Sequence, residues 1–176
     1  MSRISVVRTL NATMALVLMV VLASAYYQQF SRHEQPCPLC MLQRLGMIGV
    51  AVGVLMNLRF GIRVQHYGLA LFSAFFGGVV SARQMLLHIC PGFPVFGVPV
   101  LGISLYTWAF IVFLCCLIAI IGFLFFYSPE DKLSRPMSSF EKFTFVVVVL
   151  LTLMNVITTF SECSFGFCQD VPWPQP

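Results

Sequence analysis

Five long apolar stretches constrain this chain more than any other feature. They run roughly from Leu10 to Gln28, Met41 to Leu58, Tyr67 to His88, Ile103 to Tyr127 and Phe143 to Phe160. Crossing the hydrocarbon core of a bilayer takes ~20 helical residues at about 1.5 Å each, and each stretch is of that order. None alternates apolar with polar residues, and an open sheet cannot satisfy its backbone in lipid, so the stretches read as helices. Composition agrees: 59% of the residues are hydrophobic and 9% are charged. A soluble domain carries about a quarter charged residues, and disorder needs low hydrophobicity, so both classes are excluded. Linkers are short and there is no internal repeat. The expectation is an all-α integral membrane protein forming a single transmembrane domain over residues 1–176. It comprises a four-helix bundle plus a fifth transmembrane helix, with an outer tail from Ser161 to Pro176.

The charges between spans predict the orientation, because cytoplasmic segments collect Lys and Arg. Arg3, Arg8, Arg59, Arg63, Lys132, Arg135 and Lys142 fall on one side. The other side holds Arg32, with Arg44 just inside the start of a span. The N-terminus is therefore expected in the cytoplasm and the C-terminus outside. Arg3 and Arg8 before an apolar stretch, with Ala23-Ser24-Ala25 near its end, also fit a secretory signal and its cleavage site. The stretch is long for a signal, and removing it would leave the orientation of the remaining helices unchanged.

Cys37, Cys40, Cys90, Cys163 and Cys168 fall on the predicted outer side, Cys115 and Cys116 lie mid-span, and no cysteine falls in a predicted cytoplasmic segment. Disulfides persist outside a bacterial inner membrane, so the outer cysteines read as redox groups facing an oxidising compartment. Cys37-Pro38-Leu39-Cys40 carries the sharpest signal. Its two sulfurs can meet across one turn, and the helix that follows turns its N-terminal amides toward Cys40. Such amides and a nearby cation stabilise a thiolate. Arg44 supplies the cation, four residues on and on the same helix face. Arginine in the first turns of a membrane span is costly unless it snorkels or serves a purpose. It is read here as stabilising negative charge near Cys40, with a headgroup anchor as the plainer alternative.

Cys163 and Cys168 form a second pair directly after the fifth span, on the same predicted side. Either they staple the tail or they form a shuttle disulfide that exchanges with a soluble partner and with the first pair. Two pairs at one membrane face favour the relay. Cys90, in His88-Ile89-Cys90-Pro91-Gly92, reads as a spare thiol, with a third place in the relay as the alternative, and Cys115 and Cys116 as small packing residues. Tyr26, Tyr27, Tyr106 and Trp108 sit near span ends and read as interfacial belt residues.

The run from Gln35 to Arg44, with Cys37, Cys40 and Arg44 in C-x-x-C-x-x-x-R spacing, closely resembles the DsbB family of bacterial inner-membrane thiol oxidases. Ser81-Ala82-Arg83-Gln84 and the segment from Gly102 to Trp108 look like further family segments, and the similarity extends over about residues 1–127. The resemblance implies a four-helix-bundle enzyme of the inner membrane. It implies that electrons pass from a periplasmic thioredoxin-like dithiol protein of the DsbA type to a quinone, ubiquinone or menaquinone. It also implies that Cys37 and Cys40 face the quinone and that Arg44 lies beside its ring. This chain departs from the family in its short outer loop between the third and fourth spans, which holds only Cys90. We therefore assign the shuttle role to Cys163 and Cys168. His88, four residues from Gln84 near the outer end of the third span, is a candidate quinone contact and proton donor. A helix-end histidine at the headgroups is the plainer alternative.

A quinone-linked enzyme resembling vitamin K epoxide reductase is the nearest rival, but its active pair would sit late in the bundle. A four-cysteine zinc site built from both pairs is the rival from another class. The oxidising compartment and the long separation argue against it. A c-type haem site is excluded because Met41, not histidine, follows Cys40. No metal and no nucleic-acid partner are expected. The expected partners are the dithiol protein, the quinone and membrane lipid.

Overall fold

The computed structural model describes residues 3–32, 37–89, 99–127 and 136–163. They form five helices: α1 (Arg3–Arg32), α2 (Pro38–Phe60), α3 (Val64–Ile89), α4 (Leu105–Phe125) and α5 (Ser139–Cys163). All five are long and apolar enough to cross a membrane, so the protein is an all-α, multi-pass membrane protein. Among the described residues the only extended pairing is an isolated bridge between Val100 and Ile103, in the turn that leads into α4.

Four of the expected spans lie inside helices that run further at both ends, whereas the fourth, expected over Ile103–Tyr127, is helical only over Leu105–Phe125 because the Val100–Ile103 bridge and the Ser104 cap delay its start. α1 starts at Arg3 instead of near Leu10, and α5 continues through Cys163 instead of ending at Phe160. Apolar content marks where a helix is in hydrocarbon, whereas backbone hydrogen bonding carries it on into the interface. At the start of α5, Ser138 Oγ accepts from the Glu141 backbone N–H at 3.3 Å, and Glu141 Oε2 accepts from the Ser138 N–H at 2.8 Å. This reciprocal capping box fixes the helix entry.

Helix α2 packs against each of the other four helices. Its glycines let the closest neighbour approach. A Cβ on Gly46 would lie 3.0 Å from the Gly77 Cα of α3, and one on Gly53 would lie 2.9 Å from the Ala70 nitrogen. A Cβ on Gly77 would run into the Phe113 ring of α4, which is fully buried. Small residues at such crossings bring backbones together where lipid supplies no hydrophobic drive. The other helices present narrow buried stripes at helical spacing. On α1 the stripe is Arg8, Asn11, Ala12, Ala15, Leu18, Met19, Leu22, Tyr26 and Gln29. On α4 it is Ala109, Phe113, Cys116 and Ile120, and on α5 it is Glu141, Thr144, Val148 and Asn155. The large exposed side chains, such as Phe72, Phe125 and Ile157, form the lipid-facing surface.

Buried polar contacts set the register. Arg8 donates through Nε and Nη2 to Glu141 Oε1 and Oε2 at 2.8 and 2.9 Å. Asn11 Nδ2 donates to the Tyr67 hydroxyl at 2.9 Å, and Asn57 Nδ2 to Asn11 Oδ1 at 3.3 Å, which ties α1, α2 and α3 together at the same end. Toward the other end, the Tyr26 hydroxyl donates to Asn155 Oδ1 at 2.7 Å. Since Arg8 meets Glu141 and Tyr26 meets Asn155, α1 and α5 run parallel. The end of α5 therefore lies at the face where α2 begins.

Candidate functional site

The sequence around the start of α2 builds one small polar site in an apolar setting. Cys37 is the N-cap residue, with φ −70° and ψ 155°, and Pro38 takes the first helical position, where its missing N–H costs nothing. The Cys37 Sγ accepts from the Cys40 backbone N–H at 3.2 Å, as a capping side chain does. Cys37 and Cys40 are joined in a disulfide, with Cα atoms 5.2 Å apart. Cys37 is buried and Cys40 half-buried.

Gln84, on α3 and 1% exposed, faces the disulfide. Its Nε2 donates to the Cys37 Sγ at 3.4 Å and to the Cys40 Sγ at 3.6 Å. Gln43 Nε2 donates to Gln84 Oε1 at 2.7 Å. A disulfide has no proton to give, so the NH₂ end of Gln84 must face the sulfurs, and Gln43 holds the amide that way round. A donor in this position favours the reduced pair, because a hydrogen bond to a thiolate is stronger than one to a neutral disulfide. We expect Gln84→Leu to lower the reduction potential of the Cys37–Cys40 couple by about 30–60 mV, the equivalent of one charge-assisted hydrogen bond. Equilibration in redox buffers reads this directly, and an unchanged potential would remove Gln84 from the site.

Arg44 is buried one turn beyond Cys40. Its Nη1 donates to Gln29 Oε1 of α1 at 2.7 Å, and its guanidinium lies 4.6 Å from the centroid of the Tyr26 ring. The headgroup-anchor alternative would leave this side chain at the surface, whereas it points into the bundle. Tyr26 lies on the buried stripe of α1, while Tyr27 faces outward. Tyr26 thus differs from the belt residue expected of it, because the interior face of α1 continues to the end of the helix.

A cavity of about 420 Å³ opens beside the disulfide, within the ~300–1,000 Å³ typical of small-molecule sites. Cys37, Cys40, Gln43, Arg44, Gln84 and Gln29 supply its polar wall. Leu22, Met47, Tyr106 and Trp108 are among its apolar lining, so Tyr106 and Trp108 are wall residues as well as span-end aromatics. The turn before α4 also borders it. Leu101 and Gly102 take φ of 54° and 77°, and the Trp108 indole donates to the Val100 carbonyl at 3.0 Å. A flat, mostly apolar ring with hydrogen-bond acceptors fits this lining. Arg44 and the amides supply donors, and the aromatic and aliphatic side chains supply the faces.

The other expected site residues are placed differently. His88 does not line the cavity; its ring stacks on Tyr106 with centroids 4.7 Å apart. Its Nδ1–H donates to the Gln84 backbone carbonyl at 2.7 Å, so the shared face with Gln84 is realised through the main chain. Cys163 is the last residue of α5, at the same end of the bundle as Cys37. Cys168 and Cys90 lie outside the described residues. Cys116 packs in the core stripe of α4 and Cys115 faces outward. Among the described residues no cluster of three or more His, Cys, Asp or Glu side chains is arranged to hold a metal. Gln29, Gln43 and Tyr26 are the site residues that motif reading missed. For Gln29 and Tyr26 the available signal was the helical stripe from Arg8 to Gln29.

Comparison with known proteins bears on the same region. The family model for disulfide bond formation protein DsbB matches residues 7–96, a shorter stretch than the expected 1–127. It takes in α1, α2 and α3 and leaves out α4 and α5. A disulfide bond formation protein B of Burkholderia pseudomallei is 37% identical over 90 residues, covering 49% of this chain and 53% of the relative. The protein of the same name in Cupriavidus metallidurans is 32% identical over 85 residues, covering 48% and 53%. That of Haemophilus influenzae is 37% identical over 73 residues, covering 39% and 41%. The chain thus spans about half the length of the curated relatives it matches. No solved structure matches it.

Proposed function

The chain belongs to the DsbB family, and from that premise we propose that it is a protein-dithiol:quinone oxidoreductase of the bacterial inner membrane. It reoxidises a periplasmic DsbA-type thioredoxin-like protein and so supports disulfide bond formation. The observation that carries this reading is the Cys37–Cys40 disulfide set in the wall of an apolar cavity beside the buried Arg44. The charge pattern supports a cytoplasmic N-terminus and a periplasmic C-terminus.

In this reading a reduced partner thiolate attacks the Cys163–Cys168 disulfide, and the partner's second thiol resolves the mixed disulfide and leaves oxidised. The tail dithiol then reduces Cys37–Cys40 by the same exchange. The cavity lined by Arg44, Gln29, Tyr106 and Trp108 would hold ubiquinone or menaquinone, which would supply the two-electron, two-proton sink for the Cys37–Cys40 dithiol. Gln84 steadies the sulfur that carries negative charge. Arg44 holds charge on the cavity side, and its bond to Gln29 aims the guanidinium. His88 backs the cavity wall through Tyr106. The cavity's apolar lining keeps water from the sulfurs.

The test uses the full chain in nanodiscs, a reduced thioredoxin-like donor and a short-chain quinone. We expect quinone loss coupled one-to-one to donor oxidation. Cys163→Ser and Cys168→Ser should lose turnover from the protein donor while keeping turnover from dithiothreitol. Full turnover from the protein donor in these variants would reject the shuttle assignment, and a wild type that consumes no quinone would reject the whole reading.

A further inference from the structure

Helix α5 lies wholly outside the segment matched by the family model, yet it reaches the site. Its inward stripe carries two groups that are expensive in a membrane interior, Glu141 and Asn155. Glu141 is answered by Arg8 at one end of the bundle. Asn155 lies fourteen residues further along α5, or about 21 Å at the helical rise. It is 9% exposed, and its Oδ1 accepts from the Tyr26 hydroxyl at 2.7 Å. A buried amide at that depth pays its desolvation cost only through such a bond.

Tyr26 itself does not line the cavity. Its ring lies beneath the Arg44 guanidinium, 4.6 Å from centroid to Cζ, and the ring is 3% exposed. Arg44 and the Gln29 that receives its Nη1 bond both line the cavity. A continuous chain of contacts therefore runs from Asn155 on α5, through Tyr26 on α1, to Arg44 on α2. The phenol is held from both sides: its O–H donates to Asn155 Oδ1, with Thr158 of the same helix also in hydrogen-bonding reach, and its face and oxygen meet the guanidinium. Removing the amide takes away the acceptor at 2.7 Å and leaves Thr158, nearly one turn further along α5, as the remaining partner on that helix. The ring must then turn toward another acceptor, and turning it moves the surface on which the guanidinium rests.

We propose that Asn155 is a positioning residue for the quinone cavity, holding Arg44 in place through Tyr26. In this chain the fifth helix is then part of the binding site's support as well as the carrier of the tail cysteines. The proposal rests on the quinone reading of the cavity.

Binding of a short-chain ubiquinone to the full chain in nanodiscs tests it, read as quenching of Trp108 fluorescence with Trp173→Phe as the background. The proteins compared carry Asn155→Leu, Tyr26→Phe or both. We expect Asn155→Leu to weaken quinone binding about five- to tenfold, the loss expected for one buried hydrogen bond. The rate at which dithiothreitol reduces Cys37–Cys40 should stay within about twofold, because that disulfide is held by α2 and Gln84 and not by this chain of contacts. The double variant, with neither hydroxyl nor amide to satisfy, should bind quinone more tightly than Asn155→Leu alone. Binding by Asn155→Leu within twofold of wild type would overturn the proposal. So would a double variant whose loss is the product of the single losses, or disulfide reduction that slows in step with quinone binding. Absence of quenching in the wild type would overturn the quinone reading and this inference with it.

Discussion

Cys40→Ser should bring electron transfer from dithiol donor to quinone down to background, the largest effect of any single substitution in this protein. A serine hydroxyl cannot enter a disulfide, so on the proposed reading the acceptor for the tail dithiol disappears, and with it the sulfur proposed to carry the charge. Cys37→Ser should be equally inactive in turnover, but for a different reason that thiol chemistry separates. It leaves Cys40 as a lone thiol one turn before Arg44, beside the Gln84 amide. That thiol should be alkylated by a small maleimide. The lone Cys37 of Cys40→Ser, nine-tenths buried at the helix cap, should react more slowly. Substantial turnover in Cys40→Ser would defeat the functional reading, and equal alkylation of the two thiols would defeat the division of roles.

The C-x-x-C pair and Arg44 were legible because their geometry is local. Three residues span one helical turn and four residues share a face, so the sequence alone puts Cys40 and Arg44 on one face of α2, and both line the cavity. The five spans were legible for a similar reason, since lipid demands a continuous apolar run. Their ends were less so. α1 extends back to Arg3 past Arg8, and what neutralises Arg8 is Glu141, on the last helix. No local pattern contains that pairing. Gln29 and Gln43 were missed for the same cause, and Gln84 was legible only as a neighbour of His88. Gln29, Gln43 and Gln84 each sit near the end of a different helix. They become a site only when three helices converge. His88 shows the converse: its spacing from Gln84 was read correctly, but Tyr106 of α4 stands between it and the cavity, and a single helix cannot reveal that. Tyr26 was within reach, because it continues the stripe of Arg8, Ala12, Ala15, Met19 and Leu22.

Arg44→Met should lower kcat/KM for the quinone by about a hundredfold, the cost of roughly two charge-assisted hydrogen bonds at ~1.5 kcal/mol each. Methionine keeps most of the volume of the arginine stem, so packing against Tyr26 is largely preserved and the loss is of charge and donors. The disulfide does not depend on the guanidinium for its geometry: Cys37 caps the helix, Pro38 sets its first turn, and Gln84 contacts both sulfurs. Reduction of Cys37–Cys40 by a small dithiol should therefore continue at nearly the wild-type rate while quinone use fails. Arg44→Lys separates charge from shape. A lysine ammonium restores the positive charge but not the planar fork. It can answer Gln29 or the cavity, and only the fork serves both while lying flat on the Tyr26 ring. Lysine should therefore recover part of the loss, mainly in kcat, and leave KM for the quinone raised. Steady-state kinetics against quinone concentration, run beside the dithiol exchange rate, distinguish the outcomes. Unchanged quinone dependence in Arg44→Met would take the arginine out of the site, and equal losses in both half-reactions would make it a structural support for the helix start.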